Sequence, residues 1–384
     1  MRSVLVCTVG TSLIGNLGRS ENGELREFAR DRNAIALSQM LLSMDPHDRL
    51  LGAEINSVSS ILKSGRIGER GHLYLLVSDT EDGAFTGEVL RHYYESNRNS
   101  FGFDRVMIRK VYGLTDSSAN RFRTEGLRNL VKEISKIVQQ HGSNTILINA
   151  TGGYKAQISF AGMIGQALDI PVCYLFERFS EVIELPPQPI SMDLSFWMGY
   201  ADTFFMLARR DLSFSAQASD ELLHDLAGSI HSDERFASLI DEIQMEGQHL
   251  IALSPVGQLF HETFRHRFLQ TKQPLLPPKS PIPPYEKPIK YEDQNRGKHP
   301  GLQNYLEKIG EISYVSGIYT FYYNPDLTLP NYFRISPKCG IDGLEGGYSN
   351  GKAVTKFTIR ITARTDGERD AAMADLCEKY LIAD

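Results

Sequence analysis

One stretch near the middle of the chain limits the fold more than any other. Residues 146–157, Ile-Leu-Ile-Asn-Ala-Thr-Gly-Gly-Tyr-Lys-Ala-Gln, begin as an apolar run and become polar and glycine-rich, and a helix-compatible run follows at 156–168. This order predicts a buried strand, a glycine turn and a helix start. Adjacent glycines let backbone N–H groups approach an anion, and the helix N-terminus adds unpaired donors. A turn that binds no ligand is the alternative interpretation.

The N-terminus repeats this construction. Residues 4–12, Val-Leu-Val-Cys-Thr-Val-Gly-Thr-Ser, also predict a buried strand that ends in a small, hydroxyl-rich turn. Ligands of open α/β sheets collect beyond the carboxyl ends of the strands, so the two turns can form one site. Neither turn is a Walker loop or a G-x-G-x-x-G dinucleotide fingerprint.

Together the two turns resemble those of CARF domains, which belong to CRISPR-associated proteins. CARF domains open with a strand and a T-x-G-T-S-type turn, and a later strand ends in N-x-T-G-G-x-K; both patterns stand here in that order, at 8–12 and 149–155. The resemblance covers about residues 1–185. It implies a sensor of a cyclic oligoadenylate, with cyclic tetra-adenylate as the expected activator and cyclic hexa-adenylate as the alternative. It also implies a homodimer, because two identical turns across a dyad suit a two-fold symmetric ring.

The resemblance further implies which residues contact the ligand. They come from both turns and from Ser78-Asp79, the polar end of an apolar run at 72–77. The implied contacts are Thr8, Gly10, Thr11, Ser12, Ser78, Asp79, Asn149, Ala150, Thr151, Gly152, Gly153, Tyr154 and Lys155.

The rest of the chain predicts three parts. Up to residue 188, strands alternate with helices, which predicts an α/β, Rossmann-like domain with a mostly parallel sheet. Prolines at 186–189 mark a boundary, and residues 189–248 predict a helical connector that relays ligand binding. Residues 249–384 predict a small α+β domain, with an irregular insertion at 274–288 where seven of fifteen residues are proline.

The last predicted strand, residues 354–364, alternates strictly between polar and apolar side chains. Its apolar residues face a core, while Lys356, Arg360 and Arg364 share the other face. A shorter strand at 331–336 predicts Arg334 on such a face as well. The alternative interpretation is a solvated sheet face whose charges have no function.

This part also resembles the RelE ribonucleases, through its predicted element order β-α-α-β-β-β-α and its basic strand face. The resemblance implies metal-independent cleavage of mRNA, with the ribosome as a partner. The candidate catalytic residues are Arg334, Arg364, Arg360, Lys356 and Lys298, with His299 as a further candidate for proton transfer. Two features of the family are missing: a lysine pair on the preceding strand and a catalytic tyrosine near the C-terminus. The full chain is therefore similar to CARF–RelE fusions.

Composition limits the other classes of function. The four cysteines have no paired-ligand spacing, which argues against a zinc site or a disulfide framework. We therefore expect no metal and a reducing cytoplasm, and no apolar run is long enough for a membrane span. The net charge of −6 argues against general nucleic-acid binding.

Three other functions remain open at this stage. The first turn and Lys155 would also suit a ring nuclease that degrades the cyclic oligoadenylate. A ligand-gated transcription regulator would need a DNA-recognition helix, and no helix-turn-helix pattern is recognisable. A nucleotide-binding enzyme unrelated to defence is the third.

Overall fold

The computed structural model describes residues 2–176, 179, 181–185, 193–208, 230, 233–245, 248–292, 299–327 and 329–381. Its contacts divide the chain into two compact units. The first comprises Met1–Ser191 with Ser254–Thr263, and the second comprises Met192–Leu253 with Phe264–Asp384. No helix among the described residues is long and apolar enough to cross a membrane.

The first unit is built on one six-stranded sheet. Its strands are β1 (Val4–Thr8), β2 (His72–Ser78), β3 (Arg105–Val111), β4 (Ile146–Asn149), β5 (Val172–Tyr174) and β6 (Ile183–Leu185). The strand order is β3-β2-β1-β4-β5-β6. All neighbours pair in parallel except β5 and β6, which are antiparallel. The predicted α/β fold class with a mostly parallel sheet is confirmed.

Helices connect these strands. They are α1 (Ser12–Leu17), α2 (Gly23–Arg30), α3 (Ala34–Leu41), α4 (Gly52–Lys63), α5 (Glu81–Glu95), α6 (Ala119–Arg121), α7 (Leu127–His141) and α8 (Lys155–Ala167). The apolar pattern of residues 28–44 predicts one long amphipathic helix, but the structure has a break there. Arg32 takes a positive φ of 53°, and the Asn33 side chain accepts a hydrogen bond from the Ala36 amide at 3.1 Å, which starts α3.

The sheet has an apolar core on each face. Alternate residues of β1 point to opposite sides, so Leu5 and Cys7 join one buried cluster while Val4 and Val6 join the other. Because both faces are covered, the strands are apolar throughout rather than alternating. The polar groups of this unit therefore collect where the strands end.

The second unit contains a five-stranded sheet and a separate hairpin. Its strands are β7 (Ile240–Met245), β8 (Gln248–Leu253), β9 (Ile289–Tyr291), β10 (Val315–Asn324), β11 (Tyr332–Arg334), β12 (Gly343–Ser349) and β13 (Val354–Ile361). Its helices are α9 (Leu194–Gly199), α10 (Ala201–Ala208), α11 (Pro255–Thr271), α12 (Leu302–Gly310) and α13 (Asp366–Tyr380). Residues of α11 up to Thr263 belong to the first unit.

The five-stranded sheet has the order β11-β12-β13-β10-β9, and β9 is its one strand paired in parallel. Three expectations about secondary structure fail here. A helix was predicted to run to Met245, but β7 and β8 form an antiparallel hairpin. Strands β9 and β12 were not predicted, so the element order differs from the one behind the RelE resemblance. The 274–288 segment is irregular as predicted, apart from a short 3₁₀ turn at Pro284–Glu286.

Lys287, which lies within the 274–288 segment, has a structural role. It is buried, and its Nζ donates to the carbonyls of Gly310 at 2.9 Å and Ile312 at 2.6 Å, just past the end of α12. We expect Lys287→Met to lower the free energy of unfolding by about 1.5–3 kcal/mol, because two buried carbonyls lose a charged donor. Denaturant unfolding would measure this. The exposed Lys279→Met should have almost no effect, and equal losses in both variants would contradict this role.

Candidate functional site

The two glycine-containing turns lie side by side in the first unit. Strands β1 and β4 are neighbours, with Cys7 opposite Asn149, so the segments that follow them leave the same edge of the sheet. A Cβ atom at Gly10 would lie 2.8 Å from the Gly153 backbone nitrogen, so the two turns are in direct contact. The strand order reverses direction between β1 and β4, which is where open α/β sheets bind ligands.

Two predicted contact residues, Thr8 and Asn149, instead hold the turns in shape. Both are almost completely buried. The Thr8 hydroxyl donates to the Gly152 carbonyl at 2.5 Å, and Asn149 Nδ2 donates to Ser57 Oγ at 2.7 Å. Asn149 Oδ1 accepts the Thr151 hydroxyl at 2.7 Å. Their polar groups are therefore engaged inside the protein, and we assign both residues to the scaffold of the site.

The glycines of the second turn are needed for close packing. A Cβ atom at Gly152 would lie 2.1 Å from Glu54 Oε1 and 2.7 Å from the Thr8 carbonyl oxygen. Gly153 has a positive φ of 99°, and a Cβ atom there would lie 2.3 Å from Gln157 Oε1. That oxygen accepts a hydrogen bond from the Tyr154 amide at 3.2 Å, which fixes the start of α8. Only glycine fits these two positions without movement of the neighbouring atoms.

We expect Gly152→Ala to lower the free energy of unfolding by about 1–3 kcal/mol, because the added methyl group overlaps a buried carboxylate and a backbone oxygen. Gly162→Ala in α8 is the matched control. A Cβ atom at Gly162 meets nothing within 4 Å, so this change should be neutral or slightly stabilising. Thermal unfolding of both variants would check the difference. A Gly152 variant as stable as the Gly162 variant would show that the turns are loosely packed.

Glu54, on α4, was not predicted and lies directly beneath both turns. It is 1% exposed, and its Oε1 accepts the Gly10 amide at 2.7 Å. Burial raises the pKa of this carboxyl above its ordinary value, although hydrogen bonds from Gly10 and Ser12 partly oppose the shift. An acidic residue is common in the first turn of a helix, so nothing in the local sequence indicates this role.

The side chains that remain open at the rim are few. Thr11, Ser12 and Lys155 are exposed, and the Lys155 ammonium group has no partner among the described residues. Lys155 is the first residue of α8, so its cation and the helix N-terminus lie together. Ala150 is buried directly after β4 and offers no polar side chain. This leaves Lys155 and Thr11 as the residues best placed to meet an anion, because the Ser12 hydroxyl is hydrogen-bonded to Glu54.

Three other predicted contacts are engaged in local structure. Ser78 is buried, and its hydroxyl pairs with Thr80 Oγ1 at 2.8 Å. Asp79 binds Lys110 at 2.7 Å and Arg121 at 3.4 Å, and the hydrogen bond from Lys110 is the main reason why its pKa is below the ordinary value. The Tyr154 ring packs against Phe122, with ring centroids 5.2 Å apart. We therefore place these residues beside the site rather than in it.

A cavity of about 900 Å³ opens beside the two turns. Ser12 and Thr151 line it from the turns. Its other lining residues include three basic residues, two aromatic residues and one acidic residue: His47, Arg49, Lys63, Phe176, Phe179 and Glu181. Cations suit phosphate groups, and exposed aromatic rings suit the faces of nucleobases.

The sequence analysis missed these six side chains. Lys63 Nζ lies 2.5 Å from His47 Nε2, and the rings of Phe176 and Phe179 are 5.2 Å apart. Phe176 follows β5, so its place at this edge of the sheet could have been predicted from the strand alone. Arg49 and Lys63 flank the N-terminal and C-terminal ends of α4, and nothing in their local sequence indicates that they converge.

In the second unit, one face of the five-stranded sheet is polar. Register places Lys290, Tyr319, Thr358, Glu345 and Arg334 in one row across the strands. A second row contains Tyr322, Lys356, Gly347 and Tyr332. The opposite face carries Phe357 and Ile359 and is buried. In the structure, β13 therefore alternates between polar and apolar side chains, as predicted.

The two halves of this polar face differ in exposure. On β10 and β13, Tyr322 is 40% exposed and Lys356 is half-buried, with the Lys356 ammonium 5.3 Å from the Tyr322 ring centroid. Arg360 is exposed and donates to Asp342 at 3.1 Å. Arg364 lies beyond Ile361, where β13 ends, so it does not share the strand face as predicted. Lys356, Tyr322 and Arg360 thus form an open, basic and aromatic surface.

Arg334 lies on the covered half, which argues against the predicted catalytic role. It is 9% exposed and pairs with Glu345 at 2.9 Å, and Glu345 also accepts the Tyr332 hydroxyl at 3.0 Å. Asp202 of α10 is close enough to interact with it. Burial raises the pKa of Asp202 to about 6, and the Arg334 charge acts in the opposite direction. Such a buried, paired arginine is a structural element of the sheet.

Two candidates for proton transfer remain. Lys298 lies outside the described residues, and His299 does not join this surface. His299 is buried, and its Nδ1 lies 2.8 Å from Thr355 Oγ1, on the face of β13 opposite Lys356. Within the described ranges, no group of three or more His, Cys, Asp or Glu side chains could hold a metal ion.

Comparison with known proteins gives limited similarity. No curated protein matches the chain. One similar solved structure is Can2 from Sulfobacillus thermosulfidooxidans in complex with cyclic tetra-adenylate, with 13% identity, a TM-score of 0.23, and coverage of 73% of this chain and 70% of that one. Another is protein VC1899 from Vibrio cholerae, with 7% identity, a TM-score of 0.23, and coverage of 94% and 77%. Similarities at this level support no conclusion about fold or function.

The family comparison is more informative for one segment. Residues 49–188, which contain β2 to β6 and α4, match the sequence model of a family described as CRISPR-associated protein (Cas_APE2256). The matched segment includes the second glycine turn, most residues of the 900 Å³ cavity and Glu54. This part of the chain is therefore similar to a CRISPR-associated protein family.

Proposed function

We propose that the first unit is a CARF-type sensor that binds a cyclic oligoadenylate, with cyclic tetra-adenylate as the first candidate. The observation that carries this proposal is the direct contact between the Gly10 and Gly153 turns at the switch point of a parallel sheet. The match of residues 49–188 to a CRISPR-associated family supports the biological setting. The two turns leave the same edge of that sheet, and the second turn lies within the matched segment.

The chemistry of the rim suits such a ligand. Lys155 and the N-terminus of α8 would neutralise phosphates, and Lys63 and Arg49 would extend that charge into the cavity. Phe176, which is 42% exposed, would stack on an adenine. A cavity of about 900 Å³ is within the usual size range of small-ligand sites. A two-fold symmetric ring would be bound by two chains, so we also propose a homodimer.

We further propose that ligand binding activates RNA cleavage by the second unit, through the open surface of Lys356, Tyr322 and Arg360. In the RelE-like, metal-independent reaction, a 2′-OH gives its proton to a base, attacks the adjacent phosphorus and forms a cyclic phosphate. The 5′-oxygen leaves and takes up a proton. Lys356 is the candidate for a proton-transfer role, and Arg360 would stabilise charge on the phosphate oxygens.

A cleavage assay tests this function. Naked mRNA and ribosome-bound mRNA would be incubated with the chain alone, with cyclic tetra-adenylate and with cyclic hexa-adenylate. We expect cleavage only in the presence of one ring, and faster cleavage of ribosome-bound mRNA. Absence of RNA cleavage under all conditions would reject the nuclease proposal. Loss of the labelled ring over time would instead indicate a ring nuclease, and ring-dependent binding of duplex DNA would indicate a transcription regulator.

A further inference from the structure

Glu54 occupies an unusual position in the proposed ligand site. Its carboxylate is buried where the two turns meet, and its Oε1 holds the Gly10 amide at 2.7 Å. The sequence predicted that this turn contacts an anionic ligand. The Glu54 carboxylate therefore already accepts the Gly10 N–H group of the first turn.

Glu54 has no ion pair among the described residues. Its Oε2 is buried without a hydrogen-bond partner there, and the largest contributions to its pKa come from burial and from hydrogen bonds. The titratable groups that face it are Cys7 on β1 and Tyr94 on α5, and both interact with it as like charges when ionised. The Ser12 hydroxyl and the Gly10 amide are its stabilising contacts. An isolated buried carboxylate of this kind is costly to keep ionised.

An anion bound at the first turn would increase the free-energy cost of keeping Glu54 ionised. A phosphate held by Lys155 and the first turn would lie within a few ångströms of Glu54, because Gly10 links the carboxylate to the turn. Two like charges at this separation repel strongly where water is excluded. The repulsion disappears if the carboxyl group is protonated, and a neutral carboxyl group can still accept the Gly10 amide.

We propose that Glu54 is a positioning residue of the ligand site, which orders the first turn through Gly10 and takes up a proton when an anionic ligand binds there. The inference rests on the proposed function of the first unit. The direction of the pH dependence follows from linkage: ligand binding that takes up a proton becomes weaker as the pH rises. The affinity therefore falls by up to tenfold per pH unit between the pKa of Glu54 in the free protein and its higher pKa in the complex.

Calorimetry with cyclic tetra-adenylate tests this directly. Titrations of the full chain from pH 5.5 to 9, in buffers with different ionisation enthalpies, count the protons taken up on binding. We expect up to one proton per chain for the wild type. Glu54→Gln keeps the acceptor for Gly10 but cannot titrate, so it should bind without proton uptake. At high pH it should also bind about tenfold more tightly than the wild type.

The outcomes separate this inference from the proposed function. Binding by the wild type without proton uptake, or an identical pH profile in Glu54→Gln, would reject the role of Glu54 and leave the sensor function intact. Absence of binding in both proteins would reject the sensor function and this inference together. Glu133→Gln is the control: Glu133 is a half-buried carboxylate of α7 that pairs with Lys136, away from the two turns, and its variant should keep the wild-type pH profile. The wild-type proton count does not depend on whether the variant folds.

Discussion

Replacing Lys155 with alanine is expected to weaken binding of cyclic tetra-adenylate by about 10- to 150-fold, which corresponds to the loss of one charge-assisted hydrogen bond to a phosphate. Lys155 is exposed at the first position of α8, and no described residue competes for its ammonium group. The variant should fold normally, since the side chain is exposed. Without ligand it should cleave no RNA, like the wild type, and its activation should require far more ligand.

Lys136→Ala is the control for this prediction. Lys136 is also an exposed lysine on a helix of the first unit, but it pairs with Glu133 on α7. Its removal should leave the affinity within twofold of the wild type, because a surface ion pair contributes little. An unchanged affinity in the Lys155 variant, measured by calorimetry under the same salt conditions, would move the anion site away from the two turns.

The second large effect is expected at Lys356. Lys356→Ala should reduce ligand-activated RNA cleavage by about 100- to 10,000-fold, the usual range for loss of a proton-transfer group. The side chain is half-buried beside Tyr322 on the open half of the sheet. Ligand affinity and melting temperature should be close to those of the wild type. The exposed Lys352→Ala, just before β13, is the matched control and should retain full activity.

Arg334→Ala provides a contrast in the same sheet. Its removal would leave Glu345 buried without its arginine, which costs about 3–5 kcal/mol in comparable sites. We therefore expect a lower melting temperature rather than a selective loss of cleavage. If Lys356→Ala cleaves RNA at the wild-type rate while Arg334→Ala folds normally and is inactive, the catalytic surface lies on the covered half and our assignment is wrong.

The architecture of the first unit could be predicted from the sequence because each strand and its turn carry a local signal. Apolar runs that end in Thr8–Ser12 and in Asn149–Lys155 predict parallel strands whose turns share one edge. Glu54 could not be found this way. Its position depends on how α4 packs beneath β1 and β4, and a glutamate in the first turn of a helix has many ordinary explanations.

The glycines of β12 explain why this strand of the second unit's sheet was not predicted. Strand β12 contains Gly343, Gly346 and Gly347, and glycine is depleted in strands. The structure shows the reason for these residues. A Cβ atom at Gly347 would lie 2.1 Å from the Tyr332 ring, and one at Gly346 would lie 2.5 Å from the Phe357 ring. Close packing of aromatic rings on both faces therefore requires glycine at these two positions.

Arg334 illustrates a second limit of sequence patterns. Alternation placed it on the polar face of its strand, and the register agrees. Exposure, however, depends on what covers that face. Helix α10, with the half-buried Asp202, was predicted to belong to a connector rather than to lie close to Arg334. A period of two residues identifies a face, but it cannot show which half of that face is open to solvent.

The most direct test of a second-messenger site at the two turns is calorimetric titration of the wild-type chain with cyclic tetra-adenylate, with linear tetra-adenylate as the control. The account predicts saturable heat for the ring at one ring per two chains, and binding of the linear molecule that is at least tenfold weaker. No heat with either cyclic tetra-adenylate or cyclic hexa-adenylate, from protein that unfolds cooperatively, would contradict it.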